Sequence, residues 1–419
     1  MLGSFRDDFN ARFTPEAYGA LRQRLSGITR TEIAFPVAET PVFFPRALLD
    51  EMIEAGHALT DQLLGNPEYL KASRAAIPAP YRTAGESPHP HFMTADFGLA
   101  LDSSGRLAPK LVELQAFPSV FGFQAELAGQ YVESFALSGE LGWFFGGHDE
   151  RSYWEVLREV IVGQHAPEQV ILVDVEPAGQ KTLPDFRVYQ DRLGVATVDI
   201  AKLRREGDRL FYRPEDADGG VRSGRAAGAW IPVERIFNRA IADEIERKQV
   251  QLPFDLRDPL RMEWAGHPNW YFRISKFSLP WLRHPCVPAA VFLDEWLEDA
   301  PGGPARSRVP EDPERILLKP LYSFAGTGIQ FAPSAQDLGR IPPAERGNYL
   351  LQERIDFHPV VRTPFGPTQT EVRILYVWRD GRDRMEPLLS LARLGRGRMM
   401  GVDHNRAQSW VGASAVLFP

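Results

Sequence analysis

The chain has 419 residues, 44% of them hydrophobic and 25% charged, enough for more than one core and for roughly two or three domains. A formal net charge of -7 supplies no global positive field for nucleic acid or anionic lipid, and the lone cysteine, Cys286, excludes an internal disulfide and a cysteine-built zinc or iron-sulfur site. The acids Asp7 and Asp8 stand where a signal peptide wants an apolar run, and no stretch approaches the ~20 apolar residues of a membrane span, so a cytoplasmic protein is expected.

The first ninety residues read as helix and loop. Pro45 is placed to open a helix over 46–64, with Leu48, Leu49, Met52, Ile53, Leu59 and Leu63 at roughly helical spacing, Gly65 as cap and Pro67 as stop. Prolines 78, 80, 88 and 90 mark an irregular connection. Two β-like runs follow, 91–101 and 111–116, joined by a turn on Asp102, Ser103, Ser104 and Gly105, which is a hairpin signature. From 169 the pattern changes to a buried-strand run over 170–175, a helix over 183–193 and a strand over 196–200, a β-α-β unit. A turn and strand over 206–212, a glycine-rich excursion over 216–228 and a helical piece over 240–250 come next. A second α+β region runs from 267 to the end.

The most informative stretch is 316–331, in which a strand ends in Lys319 and Pro320, a small-residue loop carries Gly326, Thr327 and Gly328, and a strand resumes. Glycines let backbone N–H groups close on phosphate oxygens, and a nearby ammonium supplies the charge a polyphosphate favours. The stretch is neither a Walker A loop nor a Rossmann glycine turn, and a plain hairpin with glycines at its bend accounts for it equally well. Upstream, Lys276 offers a second ammonium; downstream, the apolar run of Leu350 and Leu351 breaks into Gln352 and Glu353, hydrogen-bonding groups suited to an adenine edge. Each of these alone is equally a solvated surface position.

In order, Lys276, then Lys319 with Gly326, Thr327 and Gly328, then Gln352 and Glu353 resembles the series of the ATP-grasp superfamily. The resemblance implies two phosphate-holding lysines, a glycine lid and an adenine-binding hinge. It also implies that Arg373, on the strand 370–377, meets the transferred phosphoryl group; the alternative is a surface pair between Glu371 and Arg373. Magnesium ligands would normally come after that strand, where Arg393, Asp403, His404 and Asn405 are the polar candidates. The wanted pattern lies early instead. Glu113 and Gln115, two apart on one strand, share a face, and Asp96 comes from its partner; hard oxygen donors of this kind suit magnesium.

Metal hairpin first and lysine-glycine loop last resembles the circularly permuted ATP-grasp domain of the glutathionylspermidine synthetase family. The expectation is thus an α+β chain with a circularly permuted ATP-grasp fold and an inserted βα, pre-ATP-grasp-like domain. It would comprise an N-terminal helical region over 1–90, the metal-binding part of the ATP-grasp domain over 91–165, the βα domain over 166–265 and the nucleotide-binding part over 266–419. The resemblance implies an ATP- and Mg2+-dependent carboxylate-amine ligase working through an acyl phosphate on small-molecule or peptide carboxylate and amine substrates. No nucleic acid or membrane partner is expected. Thr94 stands where that family has an arginine, and Gln115 replaces its asparagine. A kinase and a catalytically inactive nucleotide-binding protein are the alternatives.

Overall fold

The computed structural model describes residues 2–219, 228–323, 326–400, 405 and 407–419. Asp403, His404, Phe324, Ala325 and most of the glycine-rich excursion over 216–228 lie outside the described residues. The architecture is mixed α+β and rests on four sheets.

The largest sheet has seven strands and is built from both ends of the chain. The hairpin Phe92–Leu101 with Leu107–Gln115 forms one side, turned by Asp102, whose carboxylate accepts from the Ser104 and Arg106 amides while Gly105 takes φ +80°. The late strand Gly366–Val377 pairs antiparallel with Phe92–Leu101, and Glu386–Gly395 and Gly412–Leu417 follow outward. At the far edge Val42–Phe43, a strand inside the stretch read as helix and loop, pairs parallel with Gly412–Leu417. Two residues are too few to leave a periodicity, and only the partner strand makes them extended.

The helix Arg46–Leu64 forms as its apolar stripe dictates, and Leu49, Met52, Ile53, Leu59 and Leu63 pack under the large sheet. Pro67 ends nothing further: it is the first residue of a second helix, Pro67–Ala75, whose N-cap Asn66 accepts from the Glu68 and Tyr69 amides. A proline fits the first helical turn because no intrahelical partner exists there for an N–H.

Val170–Asp174 and Ala196–Asp199 are parallel neighbours connected through the helix Leu183–Leu193, which closes on Gly194 at φ +76°. Arg235–Asn238 and Glu263–Ala265 extend the same sheet in parallel on the other side. A four-stranded antiparallel sheet then joins Ala290–Phe292, Tyr349–Glu353, Ile316–Pro320 and Gln330–Phe331. Its face carrying Leu350, Ala290 and Phe292 merges with the core beneath the large sheet. The opposite face packs Val291, Leu318 and Leu351 into a separate small core. Among the described residues no helix is long and apolar enough to cross a membrane.

Candidate functional site

The site forms where the small antiparallel sheet faces one end of the large one. Across the large sheet, Glu113 lies opposite Asp96 and Asp96 opposite Arg373, so the three share one face. One register further, Gln115 opposes Thr94; on the other side, Glu371 opposes Arg393. The hairpin register slips just after Asp96, which pairs with Glu113 while Phe97 pairs with Leu111. The extra residue, Val112, is a bulge of the kind that re-aims a side chain at a sheet edge.

Arg373 grips Asp96 with two hydrogen bonds, Nε to Oδ1 at 2.5 Å and Nη2 to Oδ2 at 2.6 Å, and reaches Ser119 Oγ at 3.1 Å. Arg393 donates to Asp96 Oδ2 at 3.2 Å and to Glu371 Oε1. Burial works to raise the Asp96 pKa, but Arg373 and then Arg393 overcome it and hold the carboxylate below its ordinary value. Glu371 moves the opposite way, raised first by burial, with Arg393 opposing and the neighbouring Asp96 adding to the rise. The alternative reading of a surface pair between Glu371 and Arg373 does not hold: the arrangement is buried and crossed, Arg373 on Asp96 and Arg393 on Glu371.

From the small sheet, Lys319 enters the same space, being 4% exposed. Burial lowers its pKa to about 8, partly opposed by Glu113 and Glu371 and reinforced by Lys276. Lys276 opens a short 3-10 turn, Lys276–Trp281. Its ammonium donates to the Ser323 carbonyl at 2.6 Å and stands 3.9 Å from Glu113 Oε2. Glu113 also accepts from Gln115 Nε2 at 2.8 Å. Glu113, Gln115, Phe117, Tyr271, Lys276, Tyr322 and Ser323 surround a cavity of only about 20 Å3, roughly room for one water. Through its bond to Ser323, Lys276 ties the start of the glycine loop to the hairpin that carries Glu113.

Gln352 lies on the face of its strand shared with Leu317 and Ala290, flanked by Leu350 and turned toward the main core. It is 0% exposed, and neither its amide nitrogen nor its carbonyl oxygen has a partner. An orphaned buried amide is costly unless a ligand supplies the missing bonds. Glu353, next along, alternates to the other face and pairs with Arg315 at 2.9 Å, so its side chain is not brought into the cleft. Gly326 and Gly328 adopt φ of +75° and +76°, and a Cβ on Gly328 would meet Pro320 Cγ at 2.9 Å. Thr327 is exposed between them.

The structure thus brings together Asp96, Glu113, Gln115, Lys276, Lys319 and Arg373, with Gln352 on the Lys319 face of the small sheet. As an ion site the donor set is incomplete: both Asp96 oxygens face guanidinium groups, and among the described residues no cluster of three or more His, Cys, Asp or Glu is placed to hold a metal. The two lysines and the unpartnered Gln352 amide lie on the side of the small sheet that faces this constellation. Arg393, one of the polar candidates beyond the Arg373 strand, and Glu371, the alternative partner of Arg373, are both part of the constellation, together with Ser119, which the sequence did not single out. A lone arginine among the apolar residues of Glu386–Gly395 was the available signal for Arg393. Asp243, raised first by burial and close enough to Lys276 to feel its charge, had none.

No protein-family model and no curated protein matches the sequence. Among solved structures, the chain is similar to a glutathione synthetase-like effector from Globodera pallida in its apo form, with a TM-score of 0.60 and 13% identity over 96% of this chain and 96% of that one. At that identity the likeness shows the fold alone: the mixed α+β arrangement is similar to that of the glutathione synthetase-like effector over most of the chain.

Proposed function

We propose that the chain is an ATP- and Mg2+-dependent carboxylate-amine ligase of the ATP-grasp kind, in a circularly permuted arrangement with an inserted βα domain. The observation that carries this reading is the convergence of the early hairpin with the late lysines: Lys276 stands 3.9 Å from Glu113, and the charges of Glu113 and Glu371 bear on Lys319. Like and unlike charges gathered in a dry cleft are costly in a purely structural role, and a polyphosphate accounts for them.

In this reading Lys276 and Lys319 hold phosphate oxygens, the loop of Gly326, Thr327 and Gly328 closes over them, and the Gln352 amide receives the base. Arg373 stabilises charge on the transferred phosphoryl oxygens, with Arg393 beside it in place of the guanidinium that Thr94 lacks. Glu113 and Gln115 would be the residues to hold magnesium, with Asp96, which now accepts from Arg373, as the third donor. The metal would supply neutralisation of phosphate charge. The carboxylate substrate is activated as an acyl phosphate, which an amine attacks with loss of phosphate.

The second reading, nucleotide binding without turnover, rests on one observation: Arg373 is already committed to Asp96 by two hydrogen bonds. An ADP-release screen across amino acids, peptides and polyamines separates the possibilities. Release that needs both an acid and an amine supports the ligase, release without an amine indicates a kinase, and ATP binding without ADP indicates the inactive protein. Failure to bind ATP at all removes the whole reading.

A further inference from the structure

Away from the cleft, a cavity of about 500 Å3 opens between the helix Pro67–Ala75 and the helix Pro268–Arg273. Leu64, Leu70 and Trp270 give it an apolar wall, and Lys71, Arg74 and Arg273 face a single carboxylate, Glu86. That carboxylate is saturated: it accepts from Arg74 at 2.8 Å, from Asn269 at 2.7 Å and from Arg273. Its pKa, which burial would raise, is brought below the ordinary value by these donors. One carboxylate shared by two guanidiniums, with an ammonium at the rim, leaves the cavity with an excess of positive charge.

Arg273 is the fixed element. Its side chain is 4% exposed, its guanidinium lies 4.2 Å from the Trp270 ring centroid, and Nε reaches Ser73 Oγ at 3.4 Å. Trp270 is itself pinned, its indole N–H donating to Ser87. Burial lowers the Arg273 pKa by more than Glu86 restores it, so this cation is under-compensated where it stands. A buried arginine held rigid against an indole, at the wall of an open cavity with surplus positive charge, is built as an anion receptor is built: planar donors, fixed geometry and an apolar surface for the ligand's body.

We propose that this cavity is a second ligand site, separate from the nucleotide cleft, that binds a small dianion with a compact apolar body, its charges on Arg273, Arg74 and Lys71 and its carbon skeleton against Leu64, Leu70 and Trp270. The shared chemistry is that of a dicarboxylate or a phosphorylated small molecule.

The test is calorimetric titration of the full chain with succinate and, separately, with inorganic phosphate. Lys71→Ala with Arg74→Ala removes two exposed cations and leaves the buried Arg273 in place; far-UV circular dichroism and urea unfolding, measured in parallel, report whether the fold is kept. Because phosphate can also enter the nucleotide cleft, both titrations are repeated on Lys319→Ala. The proposal expects binding that falls at least about tenfold in the double variant and is unchanged in Lys319→Ala. Tighter succinate identifies the dicarboxylate class, tighter phosphate the phosphorylated one. Binding lost only in Lys319→Ala, binding insensitive to the double variant, or no binding of either probe at millimolar concentration overturns it.

Discussion

Lys319→Met puts the site to its most direct physical test, because the same ammonium that would hold phosphate is expensive to bury. Its pKa falls from 10.5 to about 8, with burial as the main cause. At roughly 1.4 kcal/mol per pH unit, the charged form costs the empty fold about 3 kcal/mol. The folded-state value lies below the unfolded one, so between about 8 and 10.5 the unfolded chain carries the extra proton and stability rises with pH. The penalty is complete below pH 8 and gone above 10.5. Methionine keeps the stem and drops the charge. Urea unfolding should therefore show the variant more stable than the parent by about 3 kcal/mol at pH 7, shrinking below about 1 kcal/mol at pH 10, while ATP affinity falls tenfold or more. A variant that is less stable at pH 7, or whose gain is equal at the two pH values, would refute the burial argument. Unchanged ATP affinity would take Lys319 out of the site.

Arg373→Met leaves Asp96 with Arg393 alone and should cost about 3–5 kcal/mol in urea unfolding, much of it recovered when Asp96→Asn is added. Gln352→Leu removes an amide with no partner and should stabilise the unliganded protein by roughly 1–3 kcal/mol while weakening ATP in calorimetry. Gly328→Ala forces a left-handed residue against Pro320, at about 1–2 kcal/mol of local strain; ATP affinity should drop with little change in global unfolding. Cys286, whose thiol burial pushes up to about 12, should resist Ellman's reagent at pH 8 until the chain is unfolded.

Local signals in the sequence were reliable where the physics is local. The stripe of the helix Arg46–Leu64, the Asp102 turn and the β-α-β unit around Leu183–Leu193 each follow from periodicity, capping or glycine placement within a few residues. Val42–Phe43 exists only because Gly412–Leu417 offers it an edge, which no window of neighbouring residues reveals. The site divides in the same way. Glu113 and Gln115 share a face by strand alternation, but alternation equally turns Glu353 away from Gln352, an outcome that depends on which of the two residues the strand register buries. Crossed pairing of two arginines with two carboxylates needs three strands in register, drawn from opposite ends of the chain, and is invisible before the sheet is assembled.

If the cleft is the proposed nucleotide site, that crossed pairing would also set the order in which its ligands enter. Lys276, Lys319, Arg373 and Arg393 face Asp96, Glu113, Glu371 and Asp243, so the charges of the cleft are matched one for one, and Asp96, the most buried of these acids, is already satisfied. A bare divalent cation would have to displace a guanidinium held by two hydrogen bonds, with nothing supplied to take the guanidinium in exchange. A magnesium-ATP complex is net anionic. Its phosphate oxygens would give Lys276, Lys319 and Arg373 partners in place of Ser323, Glu113 and Asp96, and Glu113 and Asp96 are then the residues that would hold the metal. Magnesium alone should therefore give no heat on titration into the unliganded chain at millimolar concentration, whereas with ATP present it should tighten nucleotide binding. Stoichiometric magnesium binding without nucleotide would show that the arginines do not hold Asp96 as described.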